Sequence, residues 1–313
     1  MRMRKIYKAQ QGVTMVELLI STTVGLMLTA AVAGLFIQNK NSYNQNEHIS
    51  FIQDNGRYAL TTLTDDLSAV DFWGGLSSII TVDSTDPDLP FAAGSTCGTA
   101  AGWEYNIANS TTYLRQPTVA DVAATFPCID NFDLGTNMLL IKRVRGLSTN
   151  ALTTNGIYLR VTNLLNGAFF RQDAAQAAPT ADQEDWEYFI HIYFLESDNL
   201  KRMTIASNPP TSPPSMVEET LAEGIEMFHV EFGIDANIDD NTADFFTSTP
   251  TPAQLNNAVE ARVHILARAD STLPGYTNSK TYQLGDLQIG VNDGFLRRSY
   301  TASTPLRNVV NIR

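Results

Sequence analysis

Few residues in this chain have the type and spacing that chemistry requires, and the first of them is a carboxylate in uncongenial surroundings. Glu17 is the single charge in the 25 residues from Val13 to Ile37. As a helix this run would reach about 37 Å, enough to cross a hydrocarbon layer roughly 30 Å thick. A carboxylate inside such a span costs several kcal/mol unless it is paired. No other charge in the run can serve, so its partner must come from outside it.

Cys97 and Cys128 are the only cysteines. The basic stretch MRMRKIYKAQQG ahead of the apolar run keeps the N-terminus in the cytoplasm and sends the body across the membrane. There an oxidising compartment favours a Cys97–Cys128 disulfide over two unrelated free thiols. Asp235, Asn237, Asp239, Asn241 and Asp244 place oxygen ligands at alternate positions of one loop, which suits a hard cation such as Ca²⁺. Against that, Asp240 stands where an EF-hand has Gly and Phe246 where it has a bidentate Glu. A plain Asx-rich turn is the other reading of the same residues.

His48, His191, His229 and His264 are scattered without HxxxH or HExxH spacing, and sheet-face packing or solvent exposure is expected of them. No GxSxG, Walker loop or GxGxxG occurs, and Glu184-Asp185 and Glu218-Glu219 read as solvated loops or helix starts. Nothing in these patterns calls for an enzyme, and no cofactor is expected apart from the Ca²⁺ that the acidic loop would take. Composition agrees: 313 residues, 43% apolar and 17% charged, give a chain that is neither disordered nor polytopic. The net charge is −12, and −16 once Arg2, Arg4, Lys5 and Lys8 are set aside, which argues against direct nucleic-acid binding by the body.

The elements that must position these residues follow from periodicity. After Ile37 the apolar residues Ile49, Ile52, Ala59, Leu63, Leu67 and Val70 recur three or four apart, an amphipathic helix stripe. One helix over 13–70 is therefore expected, lipid-like over 13–37, weakened locally by Gly25 and Gly34, and ending at Gly74-Gly75. From 71 to 313 the pattern is strands and loops. Trp186–Leu195 and Leu200–Ala206 flank a hairpin turn, and Met138–Val144, Ile157–Val161 and Glu226–Phe232 are further strands. Val259–Ala269 alternates, with Ala261, Val263 and Ile265 on one face and Arg262 and His264 on the other. Asn208–Pro214 is a proline-rich loop. One long helix followed by period-2 segments makes an α+β fold, an antiparallel sheet packed on the helix's second half.

The run Gly12-Val13-Thr14-Met15-Val16-Glu17-Leu18-Leu19-Ile20 resembles the type IV prepilin signature, a short basic leader ending in Gly before a hydrophobic helix with Glu near its start. A secretory signal peptide fits less well, because the apolar run is too long and no small-x-small cleavage site follows it. The resemblance implies cleavage between Gly12 and Val13 by a prepilin peptidase and methylation of the new Val13 amine. Val13 stands where the family usually has Phe. It further implies that Glu17 pairs with the amine of a neighbouring subunit. Residues 1–12 would be the leader.

Gln53-Asp54-Asn55-Gly56-Arg57-Tyr58-Ala59-Leu60, Asp65-Asp66-Leu67 and Phe72-Trp73-Gly74 are similar to the PilW class of minor pilins, with Ser68 and Asp71 departing from its usual Arg and Gly. Asn55-Gly56-Arg57 is expected to be a kink or cap where the head begins. By this resemblance the fold is type IV pilin-like, and the chain is a structural subunit acting in pilus initiation or in the tip complex. Its implied partners are other minor pilins, the major pilin, the prepilin peptidase, the inner-membrane assembly platform and a pilus-tip adhesin. It would sit in the bacterial inner membrane before assembly and in the pilus at the cell surface afterwards. Acidic loops like 235–244 also occur in pilin heads of this class. A minor pseudopilin of a type II secretion system shares the leader and helix. A membrane-anchored periplasmic enzyme or ligand-binding module is the reading from a different class.

Overall fold

A computed structural model describes residues 12–76, 82–87, 89–91, 97–98, 102–107, 110–172, 176–206 and 213–308. The leader up to residue 11 and most of the proline-rich loop, 208–212, lie outside the described residues. The chain divides into two compact units, Met1–His48 and Ile49–Arg313.

Helix α1 runs from Met15 to Ser68. It passes through Gly25, Gly34 and Gly56 without a break, since apolar and straight-chain residues around them carry the helical preference. The kink or cap expected at Asn55-Gly56-Arg57 is therefore not there. Gly56 is instead a close-packing site: a Cβ on it would lie 2.4 Å from the Tyr300 ring and 3.2 Å from Ala267. Asn55 is a docking residue, its Oδ1 accepting from the backbone N–H of Glu223 at 3.1 Å. After Ser68 the chain tightens through i→i+3 bonds (Ala69 N–H to Asp66 O, Val70 N–H to Leu67 O, both 3.2 Å). Asp71, Gly74 and Gly75 then take left-handed conformations with φ of 58°, 64° and 79°. At Gly74 this is doubly required, because the Trp186 indole occupies the space a side chain would need.

The second unit contains the strands. These are β1 (Val82–Asp83), β2 (Thr111–Leu114), β3 (Met138–Val144), β4 (Ile157–Thr162), β5 (Asn166–Arg171), β6 (Gln183–Glu196) and β7 (Asn199–Ala206). They continue as β8 (Ser215–Glu223), β9 (Ile225–Ile234), β10 (Phe245–Thr247), β11 (Ala258–Arg268), β12 (Thr281–Leu284), β13 (Leu287–Gly290) and β14 (Arg297–Pro305). Short helices α2 (Val119–Thr125) and α3 (Pro252–Leu255) each open on a threonine capping box, Thr118 and Thr251. One sheet runs β1-β5-β4-β6-β3-β2 with β7 and β8 added beside β6, and a second runs β10-β9-β11-β14. Among the described residues every pairing is antiparallel except that of β1 with β5. The β6–β7 hairpin turns at Ser197-Asp198, both at positive φ (52° and 57°), which matches the twist of the paired strands.

β6 explains its own near-continuous apolar run. Tyr188, Ile190, Ile192 and Phe194 face one cluster while Tyr193 and Leu195 face another, so both sides of the strand are buried. In the second cluster Ile52, Ala59, Leu63 and Leu67 of α1 meet Phe228, Val230 and Phe232 of β9 and Val263 and Ile265 of β11. Each fully buried aliphatic or aromatic side chain there contributes about 1.5–3 kcal/mol relative to exposure. This contact is what fastens the head to the helix that carries it.

Two expectations are corrected by burial and pairing. Glu218 and Glu219 lie within strand β8, where Lys201 and Arg202 of β7 neutralise them across the ladder. Asp185 is fully buried in β6, not solvated, because Arg160 grips it with two bonds of 2.7 and 2.8 Å. On the polar face of β11, with the β12–β13 hairpin nearby, His264 is packed into the sheet face, one of its two expected settings, and Arg262 is half-exposed.

Candidate functional site

Two carboxylates on α1 define the places where this chain meets other groups. At the N-terminal end every described side chain from Gly12 to Ile37 is exposed, Met15 at 81% and Leu26 at 72% among them. This is the one stretch among the described residues that is long and apolar enough, as a helix, to cross a membrane. Its hydroxyls are satisfied locally: Ser21, Thr23 and Thr29 donate to the carbonyls of Glu17, Leu19 and Gly25 one turn earlier, at 2.7, 2.6 and 2.8 Å.

Val13 is 70% exposed just before the helix, and Glu17 is exposed in its first turn. Thr14 Oγ1 accepts from the Glu17 N–H at 3.3 Å, while Glu17 Oε2 accepts from the Thr14 N–H and hydroxyl at 3.4 Å each. This is a capping box, and it uses donors that the helix start leaves open. The Thr-x-x-Glu spacing was visible in the sequence as the mark of one. The positive end of the helix dipole also favours a carboxylate there. The arrangement orients Glu17 without covering it, so one face remains free to accept a cation.

Asp66, near the other end of α1, is in the opposite situation. Its Oδ1 accepts from Arg143 Nε and a terminal nitrogen at 2.8 and 2.5 Å, and its Oδ2 contacts His191 Nδ1 and the Tyr193 hydroxyl, both at 2.5 Å. Arg143 comes from β3, and His191 and Tyr193 from β6, so one helix side chain is held by two strands. Burial alone would push this carboxyl up. His191, Arg143 and Tyr193 outweigh it and hold Asp66 far below the usual carboxylate range. The sequence shows Asp66 inside a recognisable motif but not the strands that would receive it.

The remaining predicted residues are placed as follows. Cys97 and Cys128 form a disulfide, with Cα atoms 4.7 Å apart, and Cys97 is fully buried among the apolar residues beneath the larger sheet. In the acidic loop, Asp235 accepts from the Ile238 N–H, Asp244 from the Ala236 N–H and Asp240 from the Thr242 N–H, while Asn237 donates to Asp239. The Asp240–Thr242 bond is that of an Asx turn, while Asp235 bonds three residues on and Asp244 reaches back across the loop. The carboxylates of this loop serve its own backbone and do not converge as a group of three, among the described residues.

A cluster that sequence reasoning missed is built where β9 and β11 pair. His229 stands directly opposite His264, and both are buried beside Glu231 and Asp286. Burial pushes both imidazoles down from their usual value, against the pull of the carboxylates, so both are neutral at pH 7. The signal available was the same-face spacing of His229 with Glu231 and of Arg262 with His264, two residues apart on strands.

A helix that can anchor in a membrane, its second half built into a mostly antiparallel head, makes an α+β protein. Residues 188–308 match the model of the PilW family, type IV pilus-assembly protein W. That segment holds the C-terminal strands, while the leader and residues 53–75, which carry the clearest resemblance, lie outside it. The match covers less than half of the chain, and over it the chain is similar to PilW. A solved type IV-like pilin from Thermus thermophilus is similar over 85% of this chain and 98% of its own, at 10% identity and a TM-score of 0.35, too low to define a common fold. No curated protein matches the sequence.

Proposed function

We propose that this chain is a minor pilin that enters a type IV pilus through α1 and presents the head in pilus initiation or in the tip complex. The observation that carries the reading is the contrast along α1: an exposed apolar half with an uncovered carboxylate in its first turn, continuous with a half buried in a folded head. A prepilin peptidase cuts between Gly12 and Val13, and the methylated Val13 amine of one subunit is the cation for Glu17 of the next. The capping box holds Glu17 at the helix end, where such an amine would arrive. Other minor pilins, the major pilin, the assembly platform in the inner membrane and a tip adhesin are the partners this role requires. The pilus-assembly description of the matching family favours a pilus over a secretion pseudopilus.

The test is mass spectrometry of the mature protein together with probing of sheared filaments. The reading expects a chain that starts at N-methylated Val13 and is present in filaments at low copy number. A chain that keeps residues 1–12 in assembled pili would overturn it.

A further inference from the structure

One face of the β9–β11 ladder belongs to the core that receives α1. The other carries His229 and Glu231 from β9 with Arg262 and His264 from β11, His229 opposite His264 and Glu231 opposite Arg262. The turn between β12 and β13 brings Asp286 to this face, and ligand atoms of His229, Glu231 and Asp286 all lie within 4.8 Å of one another. Asp286 Oδ1 is 2.7 Å from His229 Nε2, and Glu231 Oε2 is 3.2 Å from His264 Nε2. We propose that His229, Glu231 and Asp286 form a binding site for a divalent metal ion of the zinc type, with His264 bonded to Glu231 just outside the ligand set.

The donor set decides the class of ion. An imidazole with two carboxylates and an open fourth position suits Zn²⁺ and its neighbours, whereas Ca²⁺ and Mg²⁺ are held by oxygen ligands alone. Zinc bonds of about 2.0–2.1 Å put tetrahedral ligand atoms roughly 3.3–3.4 Å apart. The 2.7 Å contact of His229 with Asp286 therefore needs to open slightly, and ligand atoms up to 4.8 Å apart need to draw closer, to hold the ion. Asp286 can supply that movement, since it sits in a turn with its side chain 46% exposed, and the same opening is a route for the metal.

The surroundings are built for these four groups. A ligating imidazole is normally oriented by an acceptor at its other nitrogen. Thr301 Oγ1 lies 3.0 Å from His264 Nδ1, and the Tyr113 hydroxyl lies 3.2 Å from His229 Nδ1, each oxygen able to accept from the ring. Asp286 Oδ2 accepts from Arg115 at 2.6 Å and Ser248 at 2.8 Å, leaving Oδ1 toward the imidazole. Glu231 Oε1 accepts from the Asp286 N–H at 3.1 Å, which leaves Oε2 toward His264. Gly285, at φ 60°, permits this approach, because a Cβ there would lie 2.4 Å from the Glu231 carboxyl carbon.

Two arginines oppose the ion. Arg262 is 3.7 Å from Glu231 and stacks on Phe246, and Arg115 binds Asp286 on its far oxygen. Both stay outside the ligand set, and their charge keeps the affinity below that of a closed structural site. Bound metal would fasten the β12–β13 hairpin to the sheet, where its buried apolar support is the small cluster of Met227, Leu266, Leu284 and Leu287.

The test uses the full chain in detergent, stripped with a chelator and titrated with Zn²⁺, and with Co²⁺ as a spectroscopic probe. The proposal expects one ion per chain, tetrahedral Co²⁺ absorption, and a melting temperature that rises with Zn²⁺, since an ion binding only the folded state stabilises it. Asp286→Asn and His264→Gln should each weaken binding at least about tenfold, while His48→Gln leaves it unchanged. If His264→Gln does not fold, Asp286→Asn decides, because its exposed side chain is not needed for the core. Failure of the wild-type chain to bind Zn²⁺ stoichiometrically, or unchanged binding in Asp286→Asn, would overturn the site and leave a metal-free ion-pair cluster.

Discussion

Glu17 and Asp66 stand on the same helix, and nearly everything about them differs. Glu17 is exposed, held only by Thr14 three residues away, in a segment with no buried side chain. Asp66 is buried, and three side chains from two strands close around it. Under the proposed function the first carboxylate gains by finding a partner on another molecule. The second has spent all its acceptor capacity within the fold. A carboxylate's environment therefore separates a group that assembles from a group that folds, although both read in the sequence as an acid on an amphipathic or apolar helix.

The largest expected effect is on the folding side. Asp66→Asn should cost about 3–5 kcal/mol, since Arg143, His191 and Tyr193 would keep their burial and lose their charged acceptor. Urea denaturation of the full chain in detergent measures it, and a loss under about 1 kcal/mol would mean that the apolar cluster alone holds α1. The pH dependence sharpens the point. Asp66 is held below its unfolded value, so its contribution is complete above about pH 4 and is lost as pH falls through the folded value. Wild type should therefore lose more stability below pH 4 than Asp66→Asn does.

The Cys97–Cys128 bond, with a sequence separation of 31, should contribute roughly 3–4 kcal/mol by restricting the unfolded chain. Exported protein should show no free thiol on alkylation under denaturing conditions. Cys97→Ser/Cys128→Ser should lower the denaturation midpoint without altering filament incorporation at permissive temperature. Two labelled thiols per chain would contradict this.

Gly56→Leu should cost about 1–3 kcal/mol by forcing the Tyr300 ring away from the helix. Helix propensity alone predicts the opposite sign, because Gly is about 1 kcal/mol worse than most residues in a helix interior. Tyr300→Ala should restore part of the loss in the double variant, as coupled neighbours do. Stabilisation by Gly56→Leu would show that the close contact is not limiting.

These contrasts also explain what could be read in advance. The helix, its apolar half and strands β3, β4, β6, β7, β9 and β11 were legible because each is a long run with its own period. Gly74 and Gly75 marked a left-handed stretch, although the helix itself stops sooner, at Ser68. Gly56 misled, since a glycine in a polar stretch looks like a break until the ring that needs its space is known. Asp185, Glu218 and Glu219 misled likewise, because the arginines and lysine that neutralise them lie on neighbouring strands. His229 and His264 came together only through the register of β9 against β11. Local pattern carried the elements, and pairing across strands decided the fate of the charged side chains.

The smallest effect on stability is expected at Glu17, and there the comparison meets its hardest test. Glu17→Ala removes half of a capping box, a matter of roughly 0.5–2 kcal/mol at a helix start that lies outside the core cluster. The denaturation midpoint of the head should stay at the wild-type value. Incorporation into filaments should nevertheless fall sharply, because the proposed cation, the Val13 amine of a neighbour, loses its counter-charge in an apolar setting where unpaired charge is costly. Glu17→Gln separates the two roles, since an amide can still accept from the Thr14 N–H but carries no charge. If pairing is the role, Glu17→Gln should fail to assemble as Glu17→Ala does; if capping is the role, it should assemble nearly as wild type. Blocking cleavage at Gly12 should copy the Glu17→Ala defect, because the Val13 nitrogen would remain an amide. Counting surface pili and probing sheared filaments for each variant gives the answer, and normal incorporation of Glu17→Gln would move Glu17 from assembly to the local chemistry of its own helix.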